Sequence, residues 1–212
     1  MRFRTAAVSV VALAAVAGLV SAAPSPAAPS QAAPSQASDA GTGAGARAAA
    51  VHGAARVLYA YASPDDEIRF AVDAEAAPYT RPFVLDGERQ PGMPVDAKGK
   101  VTVYHRVAAD GSLGTSEAEV DCLVTGDGVA TLTAVVTKSN VWEQGDRFGI
   151  SVQDGRRGGP DRLGFSWGVA NIDPGREPFN PRVGTCMAPA PFATVTEGGF
   201  EVASAPLPPL RG

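Results

Sequence analysis

The segment Gly164-Phe165-Ser166-Trp167-Gly168 has the Gly-x-Ser-x-Gly spacing of a nucleophile elbow, the turn that presents a catalytic serine. That turn requires a helix directly after the serine, whereas Pro174 and Gly175 follow soon afterwards and oppose a sustained helix. The histidine of such a site should also follow the serine, but both histidines of the chain precede it. Strand alternation explains the segment better, with Phe165 and Trp167 facing inward and Ser166 outward. We therefore expect no catalysis by Ser166.

His105 is the second residue whose type suggests chemistry. Catalytic triads occur in any chain order, so a cleft that pairs His105 with an acid and a hydroxyl is the enzymatic alternative. His105 nevertheless shares its strand face with Val103 and Val107, which favours a hydrogen-bonded core or rim histidine. His52 borders a low-complexity stretch and is expected to have no role.

The chain contains two cysteines, Cys122 and Cys186. Alternation places Cys122 on the inward face of a strand, and Cys186 follows Gly184-Thr185 in a loop. In an exported protein this pair favours one disulfide, Cys122–Cys186, with two free buried thiols as the alternative. A disulfide leaves no thiolate, so Cys122 is not expected to be a nucleophile.

Acidic residues cluster at two places, 65–67 and the glycine-rich loop between Asp154 and Asp161. Loop carboxylates can bind calcium, but no Asp-x-Asp-x-Asp register is present, and aspartates commonly form turns. We expect no cofactor, with calcium as the alternative. A glycosidase needs two nearby carboxylates, and no spacing here selects such a pair.

Charge and aromatic content limit the ligand classes. Lys and Arg number 18 against 22 Asp and Glu, a net charge of −4 that disfavours nucleic acid as a partner. Aromatic residues are 7% of the chain, and Trp142 is the one aromatic outside the inward pattern. Exposed aromatic rings of the kind that sugar-binding modules use are therefore scarce.

The N-terminus has the three parts of a secretory signal. Arg2 and Arg4 precede an apolar stretch at 5–20, and small residues follow up to a predicted cleavage between Ala22 and Ala23, with a later alternative near Ala27. The apolar stretch is too short to be a typical membrane span. We expect secretion by the general route, signal peptide 1–22, and no membrane span after its removal. The exported chain then has 16 basic and 22 acidic residues, a net charge of −6.

Low-complexity sequence flanks a predicted β domain at 51–202. Residues 23–50 are rich in Ala, Pro, Ser and Gly and have no apolar periodicity, so we expect a disordered spacer. The Pro-rich residues 203–212 are expected to be a second disordered end.

Within 51–202 apolar and polar residues alternate in short runs that turn signals separate. Gly126-Asp127-Gly128, between two such runs, is the clearest hairpin turn. No segment has a helical period over three turns. The pattern predicts an all-β, antiparallel β-sandwich or open barrel of about eight strands.

Several short segments of the domain form a recognisable series. They are Val120-Asp121-Cys122-Leu123-Val124-Thr125-Gly126, Ala134-Val135-Val136-Thr137, Phe148-Gly149-Ile150-Ser151-Val152-Gln153-Asp154, Asp161-Arg162-Leu163-Gly164-Phe165-Ser166-Trp167, Cys186 with Phe192, Val195 and Glu197-Gly198-Gly199, and upstream Ser63-Pro64-Asp65-Asp66-Glu67-Ile68-Arg69-Phe70. In their order these segments resemble a family of small secreted bacterial proteins often labelled "repetin". The resemblance covers most of 56–202. It implies a secreted β domain with paired cysteines and supplies no activity or catalytic residue.

The sequence therefore predicts a secreted, non-catalytic β domain, a monomer, that binds or structures a component of the cell envelope or medium. The alternative is a secreted hydrolase that uses clustered carboxylates or His105 in a cleft.

Overall fold

The computed structural model describes residues 48–156, 158–169 and 182–210. The predicted signal peptide with its predicted cleavage between Ala22 and Ala23, and most of the predicted spacer, lie outside these residues. The described ranges contain ten strands and one 3-10 turn at Ser166–Gly168. The strands are β1 (Ala50–Leu58), β2 (Glu67–Ala76), β3 (Phe83–Leu85), β4 (Glu88–Gln90), β5 (Ala97–Arg106), β6 (Leu113–Gly126), β7 (Val129–Ser139), β8 (Arg147–Gln153), β9 (Arg162–Phe165) and β10 (Ala193–Ala203). No helix in the described ranges is long and apolar enough to cross a membrane.

Eight strands form one antiparallel sheet in the order β1-β10-β9-β8-β7-β6-β5-β2, and β1 also pairs with β2. The prediction of an all-β, antiparallel domain of about eight strands is confirmed. The sheet closes on itself, so the molecule is neither a sandwich of two sheets nor an open barrel. Closure gives each of the eight described barrel strands a neighbour on both sides. Strands β3 and β4 form a separate hairpin.

Alternating side chains fill the barrel interior. Ile68, Phe70, Val72 and Ala74 of β2 are all buried, as are the corresponding residues of the other barrel strands. A barrel of eight strands is just wide enough for side chains to fill it. The interior is therefore a packed core.

Two tight turns rely on left-handed backbone. Asp127 and Gly128 have φ values of 51° and 80° between β6 and β7, which confirms the predicted hairpin. Asp86 and Gly87, with φ values of 51° and 83°, connect β3 and β4, a hairpin that the sequence analysis missed. Two positive φ values match the right-handed twist of the strands.

A bulge in β6 changes the direction of Cys122. Val120 pairs with Ala134 and Leu123 with Leu132, so two residues, Asp121 and Cys122, stand opposite Thr133 alone. The extra residue shifts the alternation, as in a bulge in which two residues oppose one. Leu123 therefore belongs to the core, while Asp121 and Cys122 lie with Thr133 on the outer side. The predicted inward position of Cys122 is wrong for this reason.

The outer side at Cys122 is covered by residues 184–192, which we call the strap. The Cys122–Cys186 disulfide joins the strap to β6 across a Cα–Cα distance of 5.4 Å. The Cys186 N–H donates to Thr133 Oγ1 at 3.1 Å, and the Ser151 hydroxyl donates to the Pro189 carbonyl at 2.5 Å. A Cβ at Gly149 or Gly164 would collide with strap carbonyls, so glycine is required at both positions.

The β9–β10 seam is closed partly by side chains. These strands pair at only two positions, Ala193 with Leu163 and Thr194 with Arg162. Farther along β10, the Phe200 N–H donates to Asp161 Oδ2 at 2.6 Å and the Val202 N–H donates to Asp154 Oδ2 at 3.2 Å. The two carboxylates thus accept hydrogen bonds from β10 where β9 is absent.

The domain extends slightly beyond its predicted bounds. Strand β1 begins at Ala50, and the Ala49 carbonyl accepts a hydrogen bond from the Ala76 N–H at 2.8 Å. Residues 204–210 contain no strand or helix, but they are held against the barrel. The Ala205 N–H donates to Thr125 Oγ1 at 3.2 Å, and the Tyr79 hydroxyl donates to the Pro209 carbonyl. The prediction of a disordered tail is therefore wrong for 204–210, because backbone groups of the tail find partners on the barrel.

Reduction of the disulfide should lower the free energy of unfolding by about 4 kcal/mol, since the bond closes a long loop in the unfolded chain. Chemical denaturation with and without dithiothreitol measures the difference. A Cys122→Ala/Cys186→Ala variant should be insensitive to dithiothreitol, and both wild-type thiols should be alkylated only after reduction. Equal stability of the oxidised and reduced wild type would contradict the prediction.

Substitution Asp161→Ala should cost about 2–3 kcal/mol of stability, because Phe200 N–H and Gly155 N–H both lose a charged acceptor. Urea unfolding gives the loss. Asp110→Ala, which removes an acceptor from the Ser112 N–H on an exposed turn, is the matched control and should cost much less. Similar losses for the two variants would show that the seam does not depend on Asp161.

Candidate functional site

His105 lies at the rim of the barrel, near the end of β5. Its Nε2 is 3.2 Å from Asp66 Oδ2, and Asp66 Oδ1 accepts the Ala108 N–H at 2.9 Å. The Asp66 side chain is 7% exposed and that of His105 is 38% exposed. The carboxylate therefore joins the β1–β2 connection to the end of β5, and His105 is a hydrogen-bonded rim histidine, as one reading of the sequence predicted.

These hydrogen bonds perturb Asp66. The Ala108 N–H, and then the His105 side chain, stabilise the carboxylate and hold the pKa of Asp66 below its usual range, although partial burial opposes them. The folded state therefore favours the ionised carboxylate of Asp66.

The described residues do not complete a triad at His105. No Ser, Thr or Cys side chain among them is hydrogen-bonded to its ring. Ser166 instead accepts a hydrogen bond from the Gly149 N–H at 3.1 Å and begins the 3-10 turn after β9. The strand-turn-helix context of a nucleophile elbow is not formed within the described residues around Ser166.

Aromatic rings pack together at the barrel end where β9 ends. Trp167 lies in the 3-10 turn, so its predicted position on a strand is wrong; β9 stops at Phe165. Its ring centroid is 4.7 Å from that of Trp142, 4.9 Å from Phe165 and 5.2 Å from Phe148. Edge-on and tilted contacts at these distances are favourable ring geometries. We call this the aromatic end of the barrel.

A cleft of about 490 Å³ opens at the aromatic end. The residues that matter for its chemistry are Trp142, Asp146, Arg147, Ser166, Trp167 and Arg182. Both tryptophans are half-buried, and Asp146, Arg147 and Arg182 are exposed. The cleft thus combines aromatic surface with hydrogen-bond donors and acceptors.

Arg147 is held in place by the β6 bulge. Its Nε and Nη2 lie 2.9 Å and 2.8 Å from Asp121 Oδ2, and Asp121 Oδ1 accepts the Thr133 hydroxyl at 2.6 Å. Arg182 has no ion pair within the described part of the chain. The sequence analysis singled out Trp142 but missed both arginines, since only the folded chain brings 147 and 182 to one cleft.

A larger hollow of about 660 Å³ lies on the outer face of β1, β2 and β5. Charged side chains dominate it and pair with one another: His52 Nδ1 is 2.7 Å from Asp73 Oδ1, and Lys98 Nζ is 2.7 Å from Glu75 Oε1. It contains no Phe, Tyr or Trp among its described lining residues. The cleft at the aromatic end is therefore the better candidate site.

A ladder of ion pairs crosses β10, β1, β2 and β5 on the outer surface. Glu197 lies 3.1 Å from Arg56 and 3.0 Å from Arg69, and Glu67 lies 2.7 Å from Arg69 and 3.4 Å from Arg106. Hydrogen bonds from the arginines lower the pKa of Glu197 and of Glu67. Exposed pairs of this kind add little stability each, and the pairs of Arg56 with Glu197 and of Arg106 with Glu67 link side chains of neighbouring strands.

Three of the candidate calcium ligands have other partners. Asp154 and Asp161 accept hydrogen bonds from β10, and Glu67 belongs to the ion-pair ladder. The described residues contain no group of three or more His, Cys, Asp or Glu side chains that could hold a metal ion.

Fold and site together define a class: a small, disulfide-linked, closed antiparallel barrel with a filled interior and an aromatic cleft at one end. The chain matches no protein-family model, no curated protein and no solved structure. Inference about function therefore rests on the site itself.

Acidification should destabilise the protein through Asp66. Because the pKa of Asp66 is lowered by folding, its contribution is present above the ordinary carboxyl value near 4 and is lost as the pH falls through the folded value. The melting temperature of wild type should therefore fall more steeply below about pH 5 than that of Asp66→Asn. Glu88→Gln, on the exposed β4 strand, is the control and should follow wild type. Parallel curves for wild type and Asp66→Asn would contradict this assignment.

Proposed function

We propose that the protein is a secreted, non-catalytic binding module of the cell envelope or surrounding medium, and that it binds through the aromatic end of its barrel. The observation that carries this proposal is the cleft that brings both tryptophans together with Arg147 and Arg182. Binding sites commonly combine aromatic walls with a few polar groups that fix orientation.

The filled interior supports a surface site. Phe70, Phe165 and Leu132 are almost completely buried inside the barrel, which leaves no room for a ligand among them. Larger or emptier barrels hold ligands inside, whereas a packed one must bind at its ends or faces. The aromatic end also exposes Leu58, Tyr61 and Val141, apolar side chains that a partner would cover.

Export and family membership belong to the same proposal. The signal-like N-terminus with its cleavage at Ala22–Ala23 and the Cys122–Cys186 disulfide both favour an oxidising compartment outside the cytoplasm. The order of short motifs supports membership of the secreted family labelled "repetin". The acidic charge argues against nucleic acid as the partner, and the closed sheet favours a monomer.

A hydrolase is the alternative function, and the His105–Asp66 pair is the observation in its favour. An aspartate that orients a histidine is one half of a triad. The pair has a structural explanation as well, because Asp66 also holds the Ala108 N–H.

The purified, secreted chain should bind in a saturable manner to insoluble cell-envelope material of the producing cells, measured by co-sedimentation. His105→Ala should bind as wild type does, because His105 is not among the residues that line the cleft. Absence of saturable binding to any envelope fraction would contradict the binding-module proposal. Turnover of envelope material that His105→Ala abolishes would favour the hydrolase.

A further inference from the structure

We propose that the cleft at the aromatic end binds an uncharged, pyranose-containing saccharide. The inference rests on the proposed binding function and names the ligand class of the same site. A pyranose has C–H faces that pack against aromatic rings and a perimeter of hydroxyl groups that both donate and accept hydrogen bonds. The cleft offers a counterpart for each of these features.

The aromatic part of the cleft is rigid. Trp142 packs against Phe148 with ring centroids 5.3 Å apart, and Trp167 is stacked on Phe70 at 5.8 Å. Phe148 and Phe70 are buried in the core, so the barrel itself anchors both indoles. A preformed aromatic surface binds with little loss of side-chain entropy.

The polar part of the cleft has unused hydrogen-bonding capacity of both kinds. Arg147 uses Nε and Nη2 for Asp121, and no described residue accepts a hydrogen bond from its Nη1. Asp146 uses Oδ2 for the Glu143 N–H at 3.0 Å, and its Oδ1 accepts no hydrogen bond from the described residues. Ser166 accepts from the Gly149 N–H, and its hydroxyl proton has no acceptor within the described ranges.

The charges of the cleft favour an uncharged ligand. Arg147 is neutralised by Asp121, and the other exposed charges among the described lining residues, Arg182 and Asp146, have opposite signs. An anion-binding site would carry an excess of arginine, which is the usual residue for carboxylate or phosphate recognition. Balanced donors and acceptors around aromatic rings suit hydroxyl groups instead.

The chain contains two tryptophans, and both line the cleft. Intrinsic tryptophan fluorescence therefore reports on this site without a label. The secreted chain should be titrated with soluble malto-, cello-, manno- and N-acetylchito-oligosaccharides, and with polygalacturonate as the anionic probe. We expect a saturable emission change with at least one uncharged saccharide and none with polygalacturonate. Calorimetry of the same pair should give the same dissociation constant.

Variants assign the binding to the cleft. Arg182→Ala and Asp146→Asn should each weaken binding by about tenfold, the effect of losing one charged hydrogen bond. Arg89→Ala on the exposed β4 strand is the matched control and should bind as wild type does. Trp142→Leu should abolish binding; should this variant fail to fold, the exposed Arg182→Ala still provides the test.

Three results would overturn the saccharide proposal. They are no saturable response to any uncharged saccharide of the panel, a response to polygalacturonate alone, and binding that Arg182→Ala and Asp146→Asn both leave intact. Envelope co-sedimentation separates this failure from failure of the binding function. If wild type co-sediments with envelope material but binds none of the saccharides, the binding-module proposal is retained and the proposed ligand class is wrong.

Discussion

Strand β10 has eleven residues, but its neighbour β9 pairs with it at only two positions, so the barrel depends on side chains to close. Asp161 and Asp154 supply the missing acceptors for the N–H groups of Phe200 and Val202. Asp161 also accepts the Gly155 N–H at 2.7 Å, which ties the loop before β9 to the same carboxylate. Unpaired N–H groups at a buried seam would each be costly, and a charged acceptor offsets that cost well. Without this seam the core would have an open side.

The seam has a consequence for the cleft. Strand β9 ends at Phe165, and the next described strand, β10, begins at Ala193. Part of the path between them is the strap, which the disulfide and Thr133 hold against the outer face of β6 and β7. The 3-10 turn after β9 places Trp167 at the aromatic end. Arg182, which precedes the strap, lines the same cleft. The position of these cleft residues is thus a consequence of how the barrel closes.

Local sequence rules predict what depends on local geometry. Alternation identified the strands, and the Asp127-Gly128 turn was predictable because both residues tolerate positive φ. The bulge at Asp121–Cys122 was not, since the partners of Asp121, Thr133 and Arg147, lie on other strands. Sheet closure and the tail contact at Tyr79 are equally non-local. At the site, Trp142 stood out because it broke the inward pattern, whereas Arg147 and Arg182 carry no local signature.

The Asp121 carboxylate connects the β6 bulge to the cleft, because it bonds both Thr133 and Arg147. Its Oδ1 accepts the hydroxyl of Thr133, which in turn accepts the Cys186 N–H, while its Oδ2 holds Arg147 at the cleft. The bulge, the strap and the cleft arginine therefore meet at a side chain that is almost fully buried. A buried carboxylate is stable only when its partners are all in place. A chain of hydrogen bonds through Thr133 and Asp121 therefore connects the Cys186 N–H of the disulfide to Arg147, although neither cysteine lines the cleft.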